Sequence, residues 1–111
     1  MTPLVRVDDA SLGELLASPA AVLVLALEEC PACRAWTEEL EGYLACARWP
    51  GVRFGKAVLD GPDLERFKAE NPWLDEVEGV PFNVIYVAGQ PKDGFAGAGV
   101  ERLARRLERL E

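Results

Sequence analysis

Apolar residues recur along the chain with two periods, and these predict alternating strands and helices. Residues 22–27 are continuously apolar, which is typical of a central parallel strand covered on both faces. Residues 52–60 alternate, so they predict a further strand, in which Lys56 lies among apolar neighbours. Spacings of three and four residues predict a helix from residue 31 to about residue 48, with one apolar stripe formed by Trp36, Leu40, Tyr43, Leu44 and Ala47.

The rest of the chain completes the predicted order β-α-β-α-β-α-β-β-α. Pro and Gly disfavour a central position in a sheet, so residues 91–96 are expected to form an edge strand. A length of 111 residues is typical of one domain, so we expect a single domain over residues 1–111. The other predicted elements, in chain order, are a short strand at residues 4–7, a helix capped by Asp8 or Asp9, a helix beginning at Gly61, a strand at residues 82–87 and a final amphipathic helix from Val100.

The charge and hydropathy of the chain exclude several classes of partner. A net charge of −7 argues against nucleic acids and anionic membranes, which are bound through Lys and Arg. No window reaches the roughly 18 apolar residues of a membrane span, and the first residues lack the apolar core of a signal peptide. A cytoplasmic location is therefore expected. Because disulfides that only staple a fold are rare there, a Cys-x-x-Cys pair indicates redox or metal chemistry.

The motif Cys30-Pro31-Ala32-Cys33 follows the apolar strand and is the strongest chemical signal in the chain. Pro31 suits the first helical position, so Cys30 is placed at the N-cap, where the unpaired N–H groups of the first turn favour a thiolate. Cys33 comes one turn later, at a separation of about 5–6 Å that a disulfide can bridge. The spacing predicts Cys30 as the nucleophile and Cys33 as the resolving thiol.

Charged residues on both sides of the motif modulate its expected reactivity. Glu28 and Glu29 oppose a negative sulfur, whereas the helix N-terminus and Arg34 favour it. Because these effects nearly cancel, we expect the pKa of the Cys30 thiol to be lowered only modestly, as in a reductant rather than a strong oxidant.

Neither a metal site nor a cofactor site is expected. The chain contains no His, and Cys30, Cys33 and Cys46 cannot converge on a metal from one helix. Cys46 is interpreted as a small apolar residue, with a regulatory thiol as the alternative. Trp36 and Trp73 are interpreted as packing residues.

The dithiol motif, Lys56 and the segment Gly79-Val80-Pro81, in this order of elements, resemble the thioredoxin family over essentially the whole chain. The resemblance implies the α/β thioredoxin fold, with a central mixed sheet flanked by helices. It also implies a cis Pro81 beside the dithiol, which leaves the backbone of Val80 free to pair with a substrate segment. The implied activity is thiol–disulfide exchange on disulfide-containing proteins, with a reductase or glutathione as electron donor and no cofactor.

Two positions depart from the thioredoxin pattern. The buried acid six residues before the first cysteine is replaced by Val24, and the aromatic residue just before that cysteine is replaced by Glu29. Lys56 matches the lysine that pairs with the missing acid, so it is expected to find another partner or to extend to the surface. The base for Cys33 is left open between Glu28, Glu29 and water.

Two other functions fit the same residues. A glutaredoxin-like, glutathione-linked reductase also carries Cys-Pro-x-Cys and lacks the same acid, although residues 97–100 lack the acidic pair that would hold glutathione. A binding or redox-sensing module would instead use the surface at Val80 and Pro81 for docking, with little turnover.

Overall fold

In the part of the chain that the structure describes, five strands and four α-helices follow one another in the predicted order. The computed structural model describes residues 4–46, 49, 51–77 and 79–109. The elements are β1 (Leu4–Arg6), α1 (Asp9–Leu16), β2 (Ala20–Ala26), α2 (Pro31–Cys46), β3 (Val52–Val58), α3 (Glu65–Glu70), β4 (Phe82–Val87), β5 (Gln90–Ala96) and α4 (Val100–Glu108). Two 3₁₀ turns, Pro62–Leu64 and Pro72–Glu76, precede and follow α3. None of the described helices has the length and apolar character needed to cross a membrane.

The strands form one mixed sheet in the order β1-β3-β2-β4-β5. The first three strands in this order are parallel, whereas β4 runs antiparallel to both β2 and β5. β5 lies at an edge, as its Pro and Gly predict. Leu25 of β2 pairs with Phe82 at the start of β4, so the end of β2 and the start of β4 lie at the same end of the sheet.

Helices cover both faces of the sheet, which explains why β2 is apolar at every position. On one face, α1 and α3 bury a cluster that includes Leu12, Leu15, Leu23, Leu25 and Phe67. On the other face, α2 and α4 bury a cluster that includes Val24, Trp36, Leu40, Phe54 and Leu103. The second cluster lies beneath the helix that begins with the dithiol, so it supports the candidate site.

Asp8 and Asp9, the two predicted caps of α1, bind the N-termini of different helices. Asp8 caps α1: its carboxylate accepts a hydrogen bond from the Ser11 N–H at 2.7 Å, and the Ser11 hydroxyl accepts one from the Asp8 N–H at 2.9 Å. The hydrogen bond from the Ser11 backbone lowers the pKa of Asp8. Asp9 instead accepts from the backbone N–H groups of Arg66 and Phe67 at 3.0 and 2.9 Å, which ties α1 to α3.

Several element boundaries differ from the sequence-based prediction. β1 ends at Arg6 rather than residue 7, β2 spans Ala20–Ala26 rather than residues 22–27, and β5 begins at Gln90 rather than residue 91. β3 ends at Val58 rather than residue 60, although the Leu59 N–H still donates to the Ala26 carbonyl at 2.9 Å. The third predicted helix is divided, because a 3₁₀ turn precedes α3. The predicted end of α2 (Ala47, Arg48) and Leu110 of the final helix lie outside the described residues.

The buried hydroxyl of Tyr86 predicts how stability depends on alkaline pH. Tyr86 is 3% exposed, and its hydroxyl has no hydrogen-bond partner among the described residues. Burial raises the pKa of Tyr86 from 10.0 to about 12. Because the unfolded state loses this proton first, the free energy of unfolding should fall as pH rises between these values, by up to about 1.4 kcal/mol per pH unit.

Urea unfolding of the wild type and of Tyr86→Phe, from about pH 7 to about pH 11, measures this dependence. The variant should be at least as stable as the wild type at neutral pH, because it removes a buried hydroxyl that lacks a partner among the described residues. It should also lose less stability above about pH 10. If the free energy of unfolding fell equally steeply with pH in the two proteins above about pH 10, the loss of stability could not be assigned to Tyr86.

Candidate functional site

The dithiol lies where β2 leads into α2. β2 ends at Ala26, and α2 begins at Pro31. Cys30 is the N-cap residue, because its carbonyl accepts the first helical hydrogen bond, from the Arg34 N–H at 3.0 Å. Pro31 occupies the first helical position, where its missing N–H leaves no helical bond unmade. Both residues thus lie at the predicted helical positions.

Cys30 and Cys33 form a disulfide, with their Cα atoms 5.2 Å apart. The Cys33 backbone N–H also donates to the Cys30 sulfur at 3.1 Å, so the helix N-terminus points at this sulfur. Cys33 is 1% exposed, whereas Cys30 is partly exposed. Cys30 is therefore the sulfur that an incoming group can reach.

The segment formed by Val80 and Pro81 precedes β4 at the same end of the sheet. Its peptide bond is cis, Pro81 is buried and Val80 is partly exposed. The Pro81 carbonyl accepts a hydrogen bond from the Gly97 N–H at 2.8 Å, which links the segment to the loop between β5 and α4. Within the described residues, no backbone hydrogen bond joins Val80 to another residue.

Arg6 of β1 binds two acidic residues, one of which, Glu28, lies two residues before Cys30. Its guanidinium lies 2.7 Å from the Glu28 carboxylate and 3.5 Å from that of Asp63. The Glu28 backbone N–H donates to the Asp60 carboxylate at 2.8 Å. These contacts hold the loop before Cys30 through both backbone and side chain. Sequence reasoning missed Arg6 and Asp60, because their contacts depend on which strands are neighbours in the sheet, and no local pattern shows that.

The ion pair with Arg6 predicts that the two glutamates before the dithiol affect Cys30 differently. Glu28 is compensated by Arg6, whereas Glu29 is exposed and makes no ion pair with a described residue. We expect Glu29→Gln to lower the pH midpoint of Cys30 alkylation by about 0.3 units, and Glu28→Gln to lower it less. The rate of reaction with iodoacetamide against pH measures both variants. A larger shift for Glu28→Gln would contradict this expectation.

Among the described residues, neither strand beside β2 pairs an acidic residue with Val24. Val24, at the position of the family's buried acid, is 0% exposed and pairs in register with Lys56 of β3 and Asn83 of β4. Lys56 is partly buried and makes no ion pair with a described residue. Arg34, by contrast, lies exposed in the first turn of α2. The structure therefore places Lys56 in the row beside Val24 and Arg34 at the surface.

Asn83 is a residue of this region that sequence reasoning missed. Its side chain is 0% exposed, and its oxygen accepts a hydrogen bond from the indole N–H of Trp36 at 2.7 Å. The signal in the sequence was a single amide within the otherwise apolar run of residues 82–87. Trp36 packs in the core as predicted, but with a polar partner.

A groove of about 400 Å³ is lined by residues on both sides of the Val80-Pro81 segment in the chain, namely Trp73, Glu76, Val77, Gly79, Phe82 and Ala96. Trp73 packs against the core cluster under α1 and α3, in agreement with its interpretation as a packing residue.

In the described ranges, no three His, Cys, Asp or Glu side chains are placed to hold a metal ion. Cys46 is the last residue of α2, and the role of its thiol stays a prediction.

Comparisons with known proteins concern the fold. No family model and no curated protein sequence matches the chain. A solved thioredoxin of Malassezia sympodialis has a TM-score of 0.78 at 15% identity, covering 98% of this chain and 91% of that one. The thioredoxin of Fasciola hepatica has a TM-score of 0.72 at 23% identity, with coverages of 98% and 100%. That of Trypanosoma brucei brucei has a TM-score of 0.74 at 17% identity, with coverages of 97% and 90%.

The chain therefore has the thioredoxin fold, and the resemblance drawn from its sequence is confirmed at that level. The fold together with a Cys-x-x-Cys disulfide at the start of α2 supports thiol–disulfide oxidoreductase chemistry in general. At identities of 15–23% the likeness concerns the fold, so the particular reaction must be argued from the site.

Proposed function

We propose that this protein reduces or exchanges protein disulfides through Cys30 and Cys33. The observation that carries the proposal is the pairing of a partly exposed Cys30 with a buried Cys33 at the start of α2. A reachable sulfur that faces a helix N-terminus suits nucleophilic attack, and a second sulfur within bonding distance suits resolution.

In the proposed reaction, the Cys30 thiolate attacks one sulfur of a substrate disulfide. A bond between Cys30 and the substrate forms, the substrate S–S bond breaks, and the released substrate thiolate takes a proton from solvent. Cys33, after losing its proton, attacks the Cys30 sulfur, closes the disulfide and releases the second substrate thiolate. Two electrons pass to the substrate, and a thiol reductant restores the dithiol before the next turnover.

The backbone of Val80, beside Pro81, is proposed to bind the substrate. An extended peptide can add to such a segment as a short strand, through main-chain hydrogen bonds. Because these bonds carry little sequence information, many disulfide-containing proteins qualify as substrates. The residues proposed to tune the dithiol are Glu28, Glu29, Pro31, Arg34 and Lys56.

We propose that the protein is a single domain that acts in the cytoplasm, where a reductase or glutathione supplies its electrons. It requires no nucleic acid, membrane or cofactor. Replacing thioredoxin reductase by glutathione as the electron source identifies the donor. Turnover with glutathione alone would favour the glutaredoxin-like alternative.

Two measurements test the proposed reaction. In the first, catalytic amounts of the protein should accelerate the reduction of insulin by dithiothreitol. In the second, the Cys30–Cys33 couple is equilibrated against glutathione buffers, and a reductant should show a potential below about −200 mV. A rate equal to that of dithiothreitol alone would overturn the proposal, and a potential near −120 mV would make the protein an oxidant.

A further inference from the structure

A polar network lies within the otherwise apolar core beneath α2. It is centred on Asn83, two residues after Pro81 and 0% exposed. Each polar atom of its side chain is used. Oδ1 accepts from the Trp36 indole at 2.7 Å, and Nδ2 donates to the carbonyls of Phe95 at 3.2 Å and Gly97 at 2.9 Å.

The network joins the elements that surround the candidate site. Trp36 lies one turn after Cys33 on α2, and both are 1% exposed, so they share the buried face of that helix. Gly97, bound to Asn83 through its carbonyl, donates its own N–H to the Pro81 carbonyl at 2.8 Å. A continuous chain of hydrogen bonds therefore runs from the dithiol helix through β4 to the segment beside Val80.

Stability alone does not account for this network. The cluster around it is apolar, and an apolar pair of similar volume would fill the same space. Each buried hydrogen bond adds little net stability, because folding gives up comparable bonds to water. Directional bonds do restrict relative position, since a short N–H···O contact tolerates little sliding between helix and sheet.

We propose that Asn83 is a positioning residue that holds α2 in register with the segment Val80-Pro81. A substrate whose backbone pairs with Val80 then presents its disulfide to Cys30. This inference rests on the proposed function. Because attack requires aligned sulfur atoms, a displacement of about 1 Å between helix and segment can cost up to about a hundredfold in rate. A small disulfide that does not bind Val80 orients itself freely, so its reaction does not depend on the network.

Three variants separate positioning from stability. Trp36→Phe removes the bond between helix and strand but keeps an aromatic ring. The double variant Trp36→Phe with Asn83→Leu removes both partners of that bond, so the Asn83 oxygen is not left unpaired. Thr37→Val is the matched control, since it removes another buried polar group of α2, whose bond to the Arg34 carbonyl at 3.0 Å stays within the helix.

The readouts are KM and kcat for insulin, the single-turnover rate of the reduced protein with the aromatic disulfide DTNB, and urea unfolding. In both Trp36 variants, kcat/KM for insulin should fall about tenfold, while the DTNB rate stays within about twofold of the wild type. The rates of Thr37→Val with insulin and with DTNB should both stay within about twofold of the wild-type rates.

Several outcomes would overturn the inference. These are an insulin kcat/KM within about twofold of the wild type in both variants, equal losses on the two disulfides, and a double variant that recovers activity in step with its stability. If Trp36→Phe does not fold, the double variant decides; if neither folds, the network is structural and the inference fails. A wild type inactive on both disulfides would instead overturn the proposed function itself.

Discussion

Replacing Cys30 with serine is expected to reduce insulin reduction to the rate of dithiothreitol alone. A serine hydroxyl stays protonated near neutral pH and cannot form a disulfide, so the catalysed rate should fall more than about a thousandfold. Wild-type protein at equal concentration is the control. Because Cys30 is partly exposed and precedes the first helical residue, urea unfolding of the two reduced proteins should differ little. Equal insulin rates would end the enzymatic interpretation and favour a binding or redox-sensing module.

Replacing Cys33 with serine should separate attack from resolution. Cys30 still attacks, but the mixed disulfide is not resolved, so a covalent complex with the substrate accumulates. Non-reducing electrophoresis and mass spectrometry detect this complex, and dithiothreitol should release it. If turnover persisted without trapping, Cys33 would not be the resolving thiol.

The elements that position the dithiol were predictable because each leaves a local pattern. β2 is apolar throughout, since helices cover both of its faces, and this marks it as a central strand. Cys30-Pro31 has the composition of a helix start, and the helix begins at Pro31. Such patterns depend on residues close together in the sequence, so one chain suffices to reveal them.

The contacts around the dithiol depend instead on residues far apart in the sequence. Arg6 reaches Glu28 and Asp63 because β1 lies beside β3, next to the strand that leads into the dithiol. Asn83 meets Trp36 because β4 lies under α2 on the face that α2 covers. Strand order decides both contacts, and the local pattern predicts each strand without identifying its partners. The sequence alone therefore identified Glu28 and Glu29 beside the dithiol, but not the partners that the fold brings to the polar groups around it.

The departure at Val24 was visible in the sequence, and the structure shows what a restored acid would meet. Val24 belongs to the same core cluster as Trp36, which follows Cys33 by one turn. Its register partners are the partly buried Lys56 and the fully bonded Asn83. Burial would raise the pKa of a carboxylate introduced here, and the Lys56 ammonium would lower it.

We expect Val24→Asp to accelerate the resolving step and to destabilise the fold. A carboxylate in this layer can accept the Cys33 proton, and a general base contributes at least about tenfold to such a step. Burying it should lower the free energy of unfolding by about 2–4 kcal/mol. Single-turnover release of substrate from the Cys30 mixed disulfide, followed between about pH 6 and 9, measures the step. Urea unfolding measures the cost.

Val24→Asn is the matched control, because its side chain has the size and polarity of Asp but accepts no proton near neutral pH. Acceleration confined to the Asp variant, with a pH dependence that Asn lacks, would show that the missing acid slows deprotonation of Cys33. Equal release rates for the wild type and Val24→Asp would mean that Glu28, Glu29 or water already removes this proton fast enough. In that case the resolving step in this chain is independent of the residue at position 24. Val24 then contributes to packing alone.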